Sequence, residues 1–318
     1  MVSLPKEWIT RNRITKGSMI SMDEGSSGNL VLSPLKDERE MISTSISYNG
    51  QEKARLLSEI TGAYLLGFDL IRIEGDERVS YETRSAIKKA IGHLVGLEIV
   101  EEDAYSITTQ FLLESSNLAP EKIFKRMHSI ISGMNTDAIS TLVDGDRRIL
   151  KVITERDDEV DRLYFLLVRT IRSIVIDPML GARYSIGPVE CLDFRVAANV
   201  LESVGDTAVM ISESITSLPS LRLSEESRPL LLSVSRSLDN MLDLAIRAFL
   251  SKDVNGARST VDIFTSVSEE ISLVRKVMTL EMPDKITSLL PIFDAMGRMA
   301  KASVDIADLA VPLYPVIR

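Results

Sequence analysis

The sequence predicts a mainly α protein: two consecutive three-helix bundles, preceded by a small α/β segment and a short β-hairpin element. Three observations predict this. Aromatic residues make up only 5% of the 318 positions while 45% are apolar, a mixture that suits helix-to-helix packing better than a sandwich. From Asn117 onward, apolar residues recur with helical period almost without a break. That helical part then falls into two sets of three long helices, divided by the segment SLPSLRLS.

Residues 1–34 form the first element. Pro5 sits where a first helical position tolerates it, and KEWITRNRI makes about two helical turns. A tight turn at Lys16–Gly17, a strand, a Gly/Ser-rich hairpin loop and a second strand ending at Pro34 follow. Residues 36–115 alternate in period. MISTSISY reads as strand, NGQEKARLLSEITGAYLLG as helix, FDLIRIEG as strand, YETRSAIKKAIGHLVG as helix, and LEIVEED and YSITTQFLL as strands. A β-α-β-α-β-β order implies helices laid over a sheet. Gly67, Gly75 and Gly96 punctuate element ends, and no phosphate-loop pattern accompanies them.

Residues 117–218 are the first bundle and residues 219–318 the second. In the first, one helix starts at Pro120, a second of about thirty residues runs through DRRILKVITERDDEVDRLYFLLVRTIRSIVI, and a third begins at PVECLDF. The third helices of the two bundles align with Val204 on Met299, Ile211 on Ile306 and Glu213 on Asp308. The second helices align with Asp146 on Asp253, so the first bundle carries extra residues around GARYSIGP.

Composition excludes several classes. A net charge of −9 disfavours the whole chain as a non-specific nucleic-acid coat. The single cysteine, Cys191, rules out an internal disulfide framework and a cysteine zinc site, and is read as a partly buried small residue. Met1 leads into VSLPKEW with no apolar leader segment, and the most apolar stretch, 163–176, is cut by Arg169 and Arg172. The expectation is a soluble, cytoplasmic protein without membrane insertion.

The chemistry concentrates in the first bundle. Asp157 and Asp161 are four residues apart, and so are Glu202 and Asp206. Residues at that spacing share one helix face, where like charges repel unless a cation sits between them. Two such pairs on neighbouring helices would converge four carboxylates, an oxygen set open to Fe, Mn, Mg, Ca or Zn. About seven acidic pairs at this spacing are expected by chance in a chain this acidic, so spacing alone leaves a solvated face open. Glu155 and Glu159 form another such pair and are read as facing water. The Glu-x-x-His motif of di-iron bundles is absent, His93 and His128 read as packing or surface residues, and no histidine is expected near the carboxylates.

The run RDDEVDRL followed by CLDFRVAANVLESVGDTAVMIS resembles the phosphate-uptake regulator (PhoU) family. Asp157/Asp161 match its first carboxylate pair, Asp193–Phe194–Arg195 its helix start, and Glu202/Asp206 its second pair. The resemblance implies tandem three-helix bundles in which such pairs bind multinuclear iron or zinc clusters, with manganese or magnesium as further candidates. It departs at Ser203, where the family usually has arginine, and Arg195 is read either as pairing with a helix-terminal or bundle carboxylate or as an ordinary surface arginine at a helix start. In the second bundle Gly297 and Lys301 stand where Glu202 and Asp206 stand in the first, and no D-x-x-x-D spacing survives near Phe264 and Ser268. A cluster is therefore expected in the first bundle alone.

At the N-terminus, Lys6, Arg11, Arg13 and Lys16 oppose the single Glu7, the charge excess expected of phosphate contact. The run VSLPKEWITRNRITKGSMISM resembles the AbrB/SpoVT swapped-hairpin DNA-binding family, without the strand that this family places before LPKE. The combination resembles archaeal phosphate-uptake regulators. It implies a homodimeric, non-enzymatic regulator of phosphate homeostasis whose partners are DNA, the ATPase subunit of a phosphate ABC transporter and inorganic phosphate. The alternatives are a transporter adaptor without DNA contact and, weakest, a metal-dependent phosphohydrolase.

Overall fold

The computed structural model describes residues 3–24, 30–34, 41–49, 52–113, 119–218 and 223–310. The chain forms two compact units, Met1–Ile42 and Ser43–Arg318.

In the first unit, helix α1 (Lys6–Arg11) follows Pro5 and closes at Asn12, whose side-chain amide donates to the Trp8 carbonyl at 2.9 Å. Strands β1 (Ile20–Glu24) and β2 (Leu30–Pro34) pair antiparallel, Ile20 opposite Pro34 and Glu24 opposite Leu30. The expected Gly/Ser-rich hairpin loop lies outside the described residues. No described side chain of this unit is buried, and Met19, Met22 and Leu30 are exposed.

The second unit opens with the β-α-β-α-β-β order. Strand β3 (Ser43–Tyr48), helix α2 (Lys53–Leu65), strand β4 (Leu70–Gly75), helix α3 (Tyr81–Gly92), strand β5 (Leu97–Glu102) and strand β6 (Ser106–Phe111) form one layer. Its sheet runs β3-β4-β6-β5, with β3 and β4 parallel across the α2 crossover and the other pairs antiparallel. Alternation explains the coverage: Ile71 and Ile73 of β4 are buried under the helices, while Arg72 and Glu74 between and beyond them are exposed. The β5–β6 turn is held by Asp103, whose carboxylate accepts from the backbone N–H groups of Tyr105 and Ser106, both at 2.7 Å.

Six long helices follow: α4 (Pro120–Asp144), α5 (Ile149–Ile176), α7 (Pro188–Ser217), α8 (Ser227–Ser251), α9 (Val254–Glu281) and α10 (Ile286–Asp308). The short helix α6 (Pro178–Tyr184) occupies the extra residues between α5 and α7, capped by Asp177, which accepts from the Met179 N–H at 3.0 Å. The ends obey local rules. Pro120 opens α4, Gly145 closes it in the left-handed region at φ 73°, and Asp253 caps α9. Both bundles share one continuous apolar core. Phe124 and Phe194 of the first meet Phe249 of the second, with ring centroids 5.1–6.0 Å apart. Among the described residues, no helix is long and apolar enough to cross a membrane.

One side chain joins the α/β layer to the bundles. Arg169 of α5 is buried, and its guanidinium donates to the carbonyls of Tyr64 (2.7 Å), Phe68 (2.9 Å) and Gly67 (3.3 Å) and to the Asp69 carboxylate (3.2 Å). These acceptors lie at the C-terminus of α2 and just beyond it, where helix carbonyls lack partners. The Phe111 ring lies 4.0 Å from the same guanidinium carbon. Replacing Arg169 with methionine removes these four hydrogen bonds from buried and part-buried acceptors, at a cost of about 3–5 kcal/mol. Hydrogen exchange should then quicken in 53–75 before 227–308, and uniform protection across both segments would contradict the role.

Candidate metal centre

The carboxylate pairs sit on adjacent helices. Asp157 and Asp161 project from the middle of α5, Glu202 and Asp206 from α7. The helices approach closely because Gly205 presents no side chain: a Cβ there would meet the Asp157 Oδ1 at 3.4 Å, Ile131 at 3.6 Å and Val160 at 3.7 Å. The missing methyl lets Asp157 lie against the α7 backbone one residue from Asp206.

Burial and neighbouring charge act on these carboxyls. Burial pushes the Asp157 carboxyl up to about 6, with added repulsion from Asp161, Asp206 and Asp158. Burial, then Asp206 and Asp158, raises Asp161. Glu202 is pushed up to about 7 by burial, then by Asp206, Asp161 and Asp157. The four sequence-predicted residues thus lie on packed helices and feel one another's charge. Among the described residues, no three His, Cys, Asp or Glu side chains are grouped to close on a single ion. By donor type alone, carboxylate oxygens are the ligands that hard cations take.

Three neighbours correct the sequence reading. Arg195, read as pairing with a carboxylate or as a surface arginine, makes no ion pair among the described residues; its guanidinium carbon stands 5.1 Å from the Tyr164 ring centroid. From there its charge still favours ionised Glu202, seven residues further along the helix. Ser203, at the family's arginine position, turns its hydroxyl back to the Val200 carbonyl at 2.8 Å, so Arg195 is the cation acting on Glu202. His93, of which no role was expected, comes from the end of α3 and its charge acts on Asp161. Its approach depends on the packing of the layer on α5, which no local spacing encodes. Of the bystander pair, Glu159 receives Arg126 of α4 at 2.5 Å and Glu155 faces Lys151 at 3.7 Å. Cys191, expected partly buried, is fully so at 1% exposure.

The second bundle carries the opposite charge at the matching place. Lys301 binds Asp305 at 2.6 Å, and a Cβ on Gly297 would meet nothing within 4 Å. Ser268 donates to the Phe264 carbonyl at 2.8 Å.

The raised carboxyls set a pH dependence. In folded, metal-free chain Asp157 and Glu202 keep protons that unfolded carboxyls lose near pH 4. The folded state binds more protons between about pH 4 and pH 7, so this contribution to stability is complete below that window and lost as pH rises through it. The unfolding midpoint should fall across that range, and Glu202→Gln should flatten part of the fall. A slope unchanged by the substitution would contradict the assignment.

Residues 124–215 match the family model described as the PhoU domain, a span that contains all four carboxylates. The PhoU crystal structure from Pseudomonas aeruginosa superposes with a TM-score of 0.53 at 16% identity, covering 60% of this chain and 93% of that one. The structure of the phosphate transport system regulatory protein PhoU from Streptococcus pneumoniae gives 0.52 at 17% identity, covering 62% and 92%. No curated protein sequence matches the chain. The first bundle is thus similar to the PhoU domain over residues 124–215, and the fold is shared with two PhoU crystal structures.

Proposed function

We propose that this chain is a cytoplasmic, non-enzymatic regulator of phosphate transport that binds metal on its first bundle and DNA through its N-terminal unit. The observation that supports the reading is the place of Asp157 and Asp161 on α5 and of Glu202 and Asp206 on the adjacent α7, all within residues that match the PhoU domain model.

Those four residues would hold an iron or zinc cluster. When bound, it would supply positive charge that cancels their repulsion, with coordination positions open to inorganic phosphate. The chain's own residues prepare for this. Gly205 leaves room beside Asp157, and Arg195 keeps Glu202 closer to its ionised form. Ile131 and Val160 form an apolar floor at Gly205, limiting the water that would otherwise screen the carboxylates. Replacing all four carboxylates with alanine should abolish the metal found by elemental analysis of purified chain; unchanged content would refute the site.

DNA binding draws on Lys6, Arg11, Arg13 and Lys16, all exposed on α1 and the turn after it. A two-stranded ribbon with no buried side chain among the described residues is marginal alone, which supports a homodimer in which two hairpins cover each other. A second reading is an adaptor of a phosphate transporter, with its ATPase subunit as partner and no DNA contact. It draws on exposed Val189, Leu192 and Val196, which share one face of α7. Salt separates the two. A DNA-binding dimer should lose affinity steeply between 50 and 200 mM salt, and each alanine at the four basic positions should reduce the log–log slope by about 0.9 per contact removed. Retention that is absent or insensitive to salt would leave the adaptor.

A further inference from the structure

A cavity of about 500 Å³ opens where the α/β layer meets helix α5. Its volume falls in the range of small-molecule sites, about 300–1,000 Å³. The end of α3, strand β5 and α5 wall it. Ile91 of α3 and Leu97 and Ile99 of β5 give it an apolar side continuous with the core of the layer. Gly92 also borders it, and a Cβ there would meet nothing within 4 Å, so the space reaches the end of α3.

The polar part of the lining is cationic. Alternation along β5 sets Leu97 and Ile99 on the helix-covered face and turns the exposed Glu98 side chain to the other face. The Glu102 carboxylate is shared by Arg84 at 2.5 Å and Lys88 at 3.0 Å, two cations on one anion. Arg162 of α5 is half-buried, and its Nε is wholly buried without a hydrogen-bond partner. No ion pair among the described residues answers its charge. A buried donor left unpaired costs free energy that an arriving acceptor recovers. At the end of α3 two carbonyls are already taken: Ala90 accepts from the His93 N–H at 3.1 Å and Ile91 from the Leu94 N–H at 2.9 Å. Within the lining, then, the group still in need of a partner is a cation.

We propose that this cavity binds a small organic anion, with its carboxylate or phosphate head on Arg162 and Lys88 and its apolar body against Ile91, Leu97 and Ile99. The guanidinium fork suits either head, because both present paired oxygens. Such a ligand joins α3 and β5 to α5, the helix that carries Asp157 and Asp161, and so adds a second tie between layer and bundle beside Arg169. The proposal rests on neither the metal nor the DNA reading.

The test uses the full chain, freed of metal by a chelator and titrated by calorimetry. Phenyl phosphate and benzoate are the probes, with inorganic phosphate as the head alone and benzyl alcohol as the body alone. At least one anionic probe should bind once per chain, about tenfold or more tighter than either fragment, and the tighter of the two identifies the head. Arg162→Gln should weaken that probe about tenfold or more, the loss expected for a hydrogen bond to a charged group. Lys88→Gln should weaken it less, since Lys88 is shared with Glu102, and Glu98→Gln should leave it unchanged. Bound probe should slow hydrogen exchange in 81–102 and in 149–176 together. Thermal melts confirm that each variant folds; if Arg162→Gln does not, Lys88→Gln carries the comparison. Binding by neither probe, binding unchanged by these substitutions, or inorganic phosphate held as tightly as phenyl phosphate would overturn the proposal.

Discussion

A buried guanidinium fixes the arrangement on which the rest depends. Arg169 exchanges its hydration for three carbonyls, one carboxylate and an aromatic face, all contributed by the α/β layer or its edge. A planar group with five donors can serve that many acceptors at once, which a lysine cannot. Buried charges of this kind add little net stability but penalise alternatives heavily, since any other docking would strand the charge. Two turns toward the N-terminus on the same helix stands Asp161, so the layer's position on α5 is also its position relative to the carboxylates.

The two bundles use the same helix spacing in opposite ways. In the second, Lys301 and Asp305 at i,i+4 attract, a pairing worth a few tenths of a kcal/mol to a helix. In the first, Asp157/Asp161 and Glu202/Asp206 use the same spacing to repel, on faces dry enough to raise three of the four carboxyls. The shared apolar core absorbs that local loss. The first bundle thus keeps like-charge pairs where the second holds an attractive one, with Asp157, Asp161 and Glu202 partly buried and Asp206 exposed.

What could be read from the sequence was what is local. Helical period and the i,i+4 spacing of the carboxylates are properties of single helices, and Pro120, Gly145 and the β-α-β-α-β-β order mark their own boundaries. Residues whose role is made by long-range packing were not legible. Arg169 read only as an interruption of an apolar stretch, yet its partners lie about a hundred residues earlier. His93 read as packing because its relation to Asp161 exists only once the layer lies on α5. Arg195, read beside a carboxylate or at the surface, instead faces Tyr164, since a helix can present a cation to a ring as readily as to an anion.

The central claim is that one cation site lies between α5 and α7 and none lies at the equivalent place in the second bundle. Anomalous diffraction at the zinc edge, from crystals of the full chain grown with zinc, tests it most directly. The account predicts a peak enclosed by Asp157, Asp161, Glu202 and Asp206 and none beside Lys301. Zinc found only elsewhere on the molecule, with those four carboxylates still apart, would contradict it.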